Sequence, residues 1–290
     1  MSLLVTALAI GSVYALVALA YNVIYLTTNM FNFAQGGVIA VASLIAYTAL
    51  ADWGIGLLPT LLLCGVAGLL ITGVQYYVSV LPVTTRAPRE GEIWLVSTVG
   101  AFVMIEAGAQ LIWGSEPMGA RIATLDDLVW LGDGSVKVAA FVAIGSAVFA
   151  TIGLDLWYGL TRMGKIFRAA AADEDAAEVR GIDTRRVAIA SFAIAGVLAG
   201  IAGLIILPLT FARADLGSLL VIKAFVAMAI GGFGSIRGAL LGGWAIGLVE
   251  TYGAQWVGAR YDAILVFALL LVVLLALPRG VFGPPEGRQV

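Results

Sequence analysis

Few residues in this 290-residue chain could do chemistry, and most of them are neutral. There is no histidine and a single cysteine, Cys64, set in an apolar run. Imidazole acid/base catalysis, a disulfide framework and a cysteine zinc site are therefore excluded. Two carboxylates, Glu106 and Glu250, lie inside apolar stretches. An ionisable group there is a functional candidate, yet neither has an evident basic partner at its own depth, which makes a thin proton relay. Glu106 has two further readings, a wet vestibule or an interhelical hydrogen-bond acceptor. Neutral amides cost less to bury, and Asn22, Asn29, Asn32 and Gln35 cluster near the end of the first apolar run. We read these four, with Glu106, as candidates to line a path for a polar solute.

The backbone around the amides is unusual too. Thr27-Thr28-Asn29-Met30-Phe31-Asn32-Phe33-Ala34-Gln35-Gly36-Gly37 is poor lipid-facing helix. Irregular backbone at membrane depth persists only where protein buries it or a cavity wets it. A discontinuous helix lining a path and a tight turn between two spans both fit. Near the other end, Gly231-Gly232-Phe233-Gly234-Ser235-Ile236-Arg237-Gly238 holds G-x-G but not the dinucleotide spacing G-x-G-x-x-G. Small residues four apart, Gly234, Gly238 and Gly242, and likewise Gly196, Gly200 and Gly203, let helix backbones approach closely in lipid. No phosphate-binding G-x-x-x-x-G-K-[ST] loop occurs, so ATP driving any transport is bound by another polypeptide, and this chain carries no cofactor of its own.

The elements that must position these residues are membrane spans. Hydrophobic residues make up 61% of the chain and charged residues 12%, about half the charge of a soluble domain. Apolar runs fall at 3–26, 34–50, 55–81, 93–113, 137–160, 187–207, 219–232, 239–255 and 261–277. A span needs about 20 residues, so 219–232 is short and reads as a discontinuous or re-entrant piece. The expectation is an all-α polytopic bundle of eight or nine hydrophobic segments with broken or re-entrant helices, forming one transmembrane domain over 1–290. The first basic residue is Arg86, so the first run reads as a retained span rather than a signal peptide.

Segment 161–186 holds six of the sixteen basic residues, Arg162, Lys165, Arg168, Arg180, Arg185 and Arg186. By the positive-inside rule it faces the cytoplasm. That orientation puts Arg86, Arg89, Arg237, Arg279 and Arg288 inside and leaves Arg121, Arg213 and Arg260 outside, with Lys137 and Lys223 at the outer border. The N-terminus is then outside and the C-terminus inside. A net charge of −2 offers no footprint for nucleic acid. The outer stretch 114–136 carries Glu116, Asp126, Asp127 and Asp133 against Arg121, as a solvated connector or as a docking surface for an external partner.

Within 161–186 the alanine-rich run has high helix propensity over about four turns. Gly181 suits the position that ends such a helix, and Asp183 or Thr184 suits the cap of the next. The result is either a plain amphipathic surface helix or a coupling helix seated on a motor subunit, with Lys165, Arg168, Ala169, Ala172, Glu178 and Gly181 in contact.

Four stretches then carry a resemblance to a known family. They are Gly11-Ser12-Val13-Tyr14-Ala15-Leu16, Asn32-Phe33-Ala34-Gln35-Gly36, the loop Gly164 to Asp183 with Arg168-Ala169 and its Gly-Ile-Asp ending, and Lys223-Ala224-Phe225 followed by Gly231 to Gly238. Together and in order, over nearly the whole chain, they resemble the permease subunits of high-affinity branched-chain amino acid ABC importers. The resemblance implies a second, homologous permease, two cytoplasmic ATPase subunits, an extracytoplasmic solute-binding protein and a place in the inner membrane. The sequence departs at Gln35, where family members often carry histidine. Relatives also handle urea, short amides and other small organic acids, which stand as alternative substrates. An ion-coupled secondary transporter is the remaining alternative, and a membrane-embedded enzyme finds no clustered acids or activated nucleophile here.

Overall fold

The computed structural model describes residues 1–86, 93–120, 122–131, 134–277 and 280–283. Arg89, Arg121, Asp133, Arg279 and Arg288, which entered the charge argument, lie outside the described residues. Among those described, six helices are long and apolar enough to cross a bilayer. They are α1 (Ser2–Thr28), α2 (Ala34–Tyr47, running on through a π turn at Thr48–Asp52), α3 (Leu57–Gln75, running on through a π turn at Tyr76–Val80), α4 (Ile93–Trp113), α5 (Val138–Leu160) and α8 (Thr184–Ile206). Between α5 and α8 lie two short helices, α6 (Arg162–Ala172) and α7 (Glu174–Val179). A bent pair, α9 (Leu216–Gly231) and α10 (Ile236–Gly253), and a shorter apolar helix, α11 (Asp262–Ala276), complete the bundle.

The expected runs thus map onto these helices, but the short one is corrected. It begins at Leu216, three residues before the apolar run, and meets the next helix at a bend of 118°. The bend sits at Gly232 and Gly234, with φ of 101° and 78°. Both angles are in the left-handed region that a glycine reaches without steric cost.

Burial separates the centre from the periphery. In their most apolar stretches α1, α2 and α8 are 67%, 72% and 67% buried, against 11% for α4. Helices apolar on every side belong in a core or in lipid. Here α1 is the core helix, packed along α10, α8 and α5. Glycine sets how close these helices come. A Cβ at Gly11 would stand 2.7 Å from the Gly243 carbonyl oxygen across the α1–α10 crossing, and one at Gly196 would stand 2.5 Å from the Gly68 oxygen across α8–α3. Gly196 and Gly200 therefore serve close packing on α3, and Gly238 and Gly242 serve it on α9. Gly234 does not belong to that stripe, being a turn residue.

The bundle has two distinct ends. At one, the stretch between α4 and α5 folds into an antiparallel ribbon, β1 (Leu128–Leu131) on β2 (Gly134–Lys137), paired Leu128 to Lys137 and Leu131 to Gly134. This ribbon, which the sequence did not suggest, lies beside Ser2 and is tied to the α8–α9 connection by Lys137 Nζ, which donates to the Pro208 carbonyl. At the opposite end lie α6, α7, the C-terminus of α1 and the 232–235 bend.

Candidate functional site

The four amides sit in three different settings. Asn32 and Gln35 are buried at the start of α2. Asn32 Nδ2 donates to Gln75 Oε1 (3.0 Å) and Gln75 Nε2 returns a bond to Asn32 Oδ1 (3.2 Å), so the two amides satisfy each other inside the bundle. Gln75 connects onward to Ser79, whose hydroxyl donates to the Ser97 carbonyl (3.1 Å). A polar thread thus crosses α2, α3 and α4. Gln35 Nε2 donates to the Ala195 carbonyl on α8 (2.7 Å), while its Oε1 is buried with no hydrogen-bond partner among the described residues. Asn22 clamps the bend instead, donating to the Ser235 carbonyl (3.1 Å) and accepting from the Gly234 amide (2.9 Å). Asn29 is exposed and ends α1 in the left-handed conformation, φ 52°, its amide bonded to the Tyr25 carbonyl. Asparagine is the residue besides glycine that most readily takes that position.

Glu106 lies half-buried on α4, the most exposed of the long helices, and accepts a 3.4 Å bond from Gln110 one turn on.

The charged group that the sequence did not bring together lies between α1, α9 and α10. Lys223 Nζ donates to Glu250 Oε1 (2.6 Å) and to Tyr14 Oη (2.8 Å), and Tyr14 Oη donates to the same Glu250 oxygen (3.0 Å). The ammonium also stands 4.8 Å from the centre of the Tyr14 ring, within cation–π range. Both charged side chains are 18% exposed. The expectation that Glu250 lacks a basic partner at its depth is corrected: the bend at 232–235 folds α10 back along α9, and residues 27 positions apart meet. A cavity of about 260 Å³ opens on the triad. Its other walls are mainly aliphatic, including Ile10, Val13, Ile206 and Leu220, with Arg213 also lining it. Arg213 is paired to Asp215 through two bonds, 2.9 and 2.5 Å. The turn Leu209–Thr210–Phe211 separates this cavity from a larger one, about 610 Å³, at the ribbon end.

At the opposite end, 161–186 folds as two helices where one was expected. Asp173 leaves the helical region, φ −163°, and its carboxylate accepts from the Ala176 amide (2.9 Å). Capping by Asp there outweighs the propensity of the flanking alanines. The C-terminal expectation holds in detail. Gly181, φ 82°, bonds back to the Glu178 carbonyl and Ile182 to the Ala177 carbonyl, the paired pattern that closes a helix at a glycine. Asp183 then caps α8 by accepting from the Arg186 amide. Phe167 is buried and fixes α6 to α5 through edge contacts with Trp157 and Tyr158, at 5.0 and 5.9 Å. Lys165, Arg168, Ala172, Glu178 and Gly181 are exposed, with Ala169 half-buried. Met163 and Val179 add apolar surface, 61% and 88% exposed. Arg168 lines a small cleft with Leu26, Ser235 and Arg237, and Arg237 is paired to Asp155 at the end of α5 (2.7 Å). The arrangement is a charged and partly apolar platform beside the bend, anchored to α5 by Phe167.

Residues 3–274 match the family described as the permease component of branched-chain amino acid transport systems. The chain is 32% identical to the high-affinity branched-chain amino acid transport system permease protein BraD of Pseudomonas aeruginosa, covering 99% of this chain and 97% of that one. It is 31% identical to the corresponding protein LivH of Escherichia coli, covering 97% and 94%. A more distant likeness, 26% identity over 91% of this chain and 82% of that one, is to the ribose import permease protein RbsC of Escherichia coli. Among solved structures, PsaBC from Streptococcus pneumoniae in complex with Fab shares the fold with a TM-score of 0.54 at 12% identity, over 96% of this chain and 93% of that one.

Proposed function

The chain belongs to the permease-component family of branched-chain amino acid transport systems, and from that premise we propose that it is the membrane-spanning subunit of an ABC importer for branched-chain or related small amino acids. The observation that carries this reading is the end-to-end match to BraD and LivH at 31–32% identity. The chain forms part of the translocation path. It has no nucleotide loop of its own and draws on two ATPase subunits, a second permease and an external solute-binding protein. The end bearing α6 and α7 is cytoplasmic, because six basic residues concentrate there. The N-terminus and the ribbon then face outward, where a binding protein delivers its cargo.

The platform of α6 and α7 is the coupling element. Lys165, Arg168, Ala169, Ala172, Glu178 and Gly181 meet the motor subunit, and Phe167 passes its displacement into α5. A motor shifts the permease only by binding its two states unequally, so a rigid anchorage is the property that matters. Gln35 and Glu106 border the path, Asn32 with Gln75 and Asn22 at the bend hold the helices that wall it, and Asn29 marks its cytoplasmic rim.

The test is co-purification in mild detergent of the tagged chain, expressed with the products of neighbouring genes. ATP hydrolysis is then measured in the eluate with and without leucine and the binding protein. Recovery of an ATPase whose turnover rises with loaded binding protein supports the importer. A chain that purifies alone and takes up solute under an ion gradient refutes it.

A further inference from the structure

We propose that the cavity on the Lys223–Glu250–Tyr14 triad is a transit site for a zwitterion. Lys223 takes the α-carboxylate, Glu250 takes the α-ammonium, and the aliphatic walls take the side chain. This rests on the importer reading and names the chemistry of one site within it.

Four observations converge. First, an ammonium and a carboxylate stand within apolar spans, 18% exposed. Ionisable groups there are costly, and well-packed apolar residues in their place are often neutral or stabilising. Packing alone therefore does not account for the pair. Second, the pair, with Tyr14, Thr210 and Arg213, makes the polar part of the wall of a 260 Å³ cavity whose remaining wall is mostly aliphatic. That is the division a branched aliphatic amino acid presents, two charges at one end and hydrocarbon at the other. Third, Glu250 uses one oxygen for both Lys223 and Tyr14, while Oε2 is buried with no hydrogen-bond partner among the described residues. A buried carboxylate oxygen in that state keeps acceptor capacity that the pair itself does not use. Fourth, the cavity shares the Leu209–Phe211 turn with the larger cavity at the ribbon end, so the two adjoin.

The exchange also balances charge. Lys223 and Glu250 are bonded directly to each other at 2.6 Å. An α-amino acid carries opposite charges on neighbouring groups. Entering between the two side chains, it exchanges that direct bond for two, one to each of its own charges. A ligand with only one of those charges would open the protein pair and satisfy half of it. The site is thereby selective for zwitterions over amines and acids of the same shape.

The experiment uses the purified complete complex. Its thermal midpoint is followed against leucine, leucinamide (no carboxylate) and 4-methylpentanoate (no ammonium), and leucine uptake is measured in proteoliposomes. Leucine is expected to raise the midpoint, with neither analogue doing so at the same concentration. Lys223→Met together with Glu250→Gln removes both charges of the pair at once. This double variant should assemble, yet require at least about tenfold more leucine for any shift, as loss of charge-assisted bonds implies, and it should fail in uptake. Should the double variant not assemble, Tyr14→Phe reads the same site: a severalfold shift in the leucine dose supports it, and an unchanged dose overturns it. A double variant that regains both the leucine shift and uptake would show the pair to be structural. Equal stabilisation by the analogues, or no leucine shift in a complex that transports leucine, would also overturn the site while leaving the importer standing. No leucine uptake by the unmodified complex would instead count against the importer reading.

Discussion

The crossing of α3 and α8 offers a quantitative test of the packing argument, with a reporter already in place. Cys64 is the chain's single cysteine, and it is fully buried at that crossing with its thiol 3.6 Å from the Ala42 carbonyl. A Cβ added at Gly200 would meet the Cys64 carbonyl oxygen first, with the carbonyl carbon at 2.6 Å and Gly65 Cα at 3.0 Å. Carbon atoms in good contact lie about 3.5–4.0 Å apart, so Gly200→Ala must push the two backbones apart by about 1 Å. No flexible side chain is there to yield. Overpacking of this kind costs about 1–3 kcal/mol, and in lipid no hydrophobic drive between helices recovers it. At 1.36 kcal/mol per tenfold, the population with the crossing open rises about 5- to 150-fold. The assay is the rate of Cys64 modification by N-ethylmaleimide in mild detergent, read by intact mass. Gly73→Ala on the same helix is the control, because no atom lies within 4 Å of its added Cβ; it should label at the wild-type rate. If Gly200→Ala labels no faster than Gly73→Ala, close glycine contact is not what holds α3 against α8.

Other expectations follow from the same geometry. Asn32→Leu strands the buried Gln75 amide and should destabilise the chain by about 1–3 kcal/mol, visible as a lower thermal midpoint; uptake should be lost while the complex still assembles, and wild-type uptake would sink the path assignment. Asn22→Ala releases two hydrogen bonds at the bend, so amide exchange at Gly234 and Ser235 should accelerate at least about fivefold, with protection elsewhere in α9 unchanged. Arg168→Glu combined with Ala172→Trp alters the exposed face of α6 without touching Phe167; ATP hydrolysis should persist while leucine uptake per ATP falls, and an unchanged ratio would refute the coupling role.

What was legible in the sequence was what is local. Apolar runs announced the helices, and Gly181 and Asp183 announced the end of one helix and the cap of the next, because backbone bonds within a few residues decide those features. Two local signals still competed at Asp173. Alanine propensity favoured one continuous helix, and the carboxylate's bond to the Ala176 amide made two. The start of α9 was hidden because Gly217 and Ser218 dilute the apolar pattern, although Leu216 and Gly217 are buried. Pairings across the fold left no periodic trace. Gln75 answers Asn32 from 43 residues away, and Lys223 answers Glu250 only because the chain reverses at two glycines between them.

That reversal connects the two ends of the molecule. The bend at 232–235 is held by Asn22 of α1, and Arg237 at its exit is tied to Asp155 of α5, the helix to which Phe167 anchors α6. From Arg237 the helix α10 runs 13 residues to Glu250, about 20 Å at helical rise. Near the vertex α9 and α10 are in glycine contact, at Gly231 against Gly238, and farther along they are joined by the Lys223–Glu250 bond. A displacement of α6 that alters the angle between these helices therefore acts on the ion pair with the lever arm of α10. Glycine contact at the vertex permits the change in angle, and the 2.6 Å bond opposes it. On the reading that the triad receives a zwitterion, a bound amino acid replaces that direct bond with two bonds of its own and loosens the tie. Substrate arrival and motor closure would then act on one and the same angle, which gives the chain a physical means to make transport depend on both.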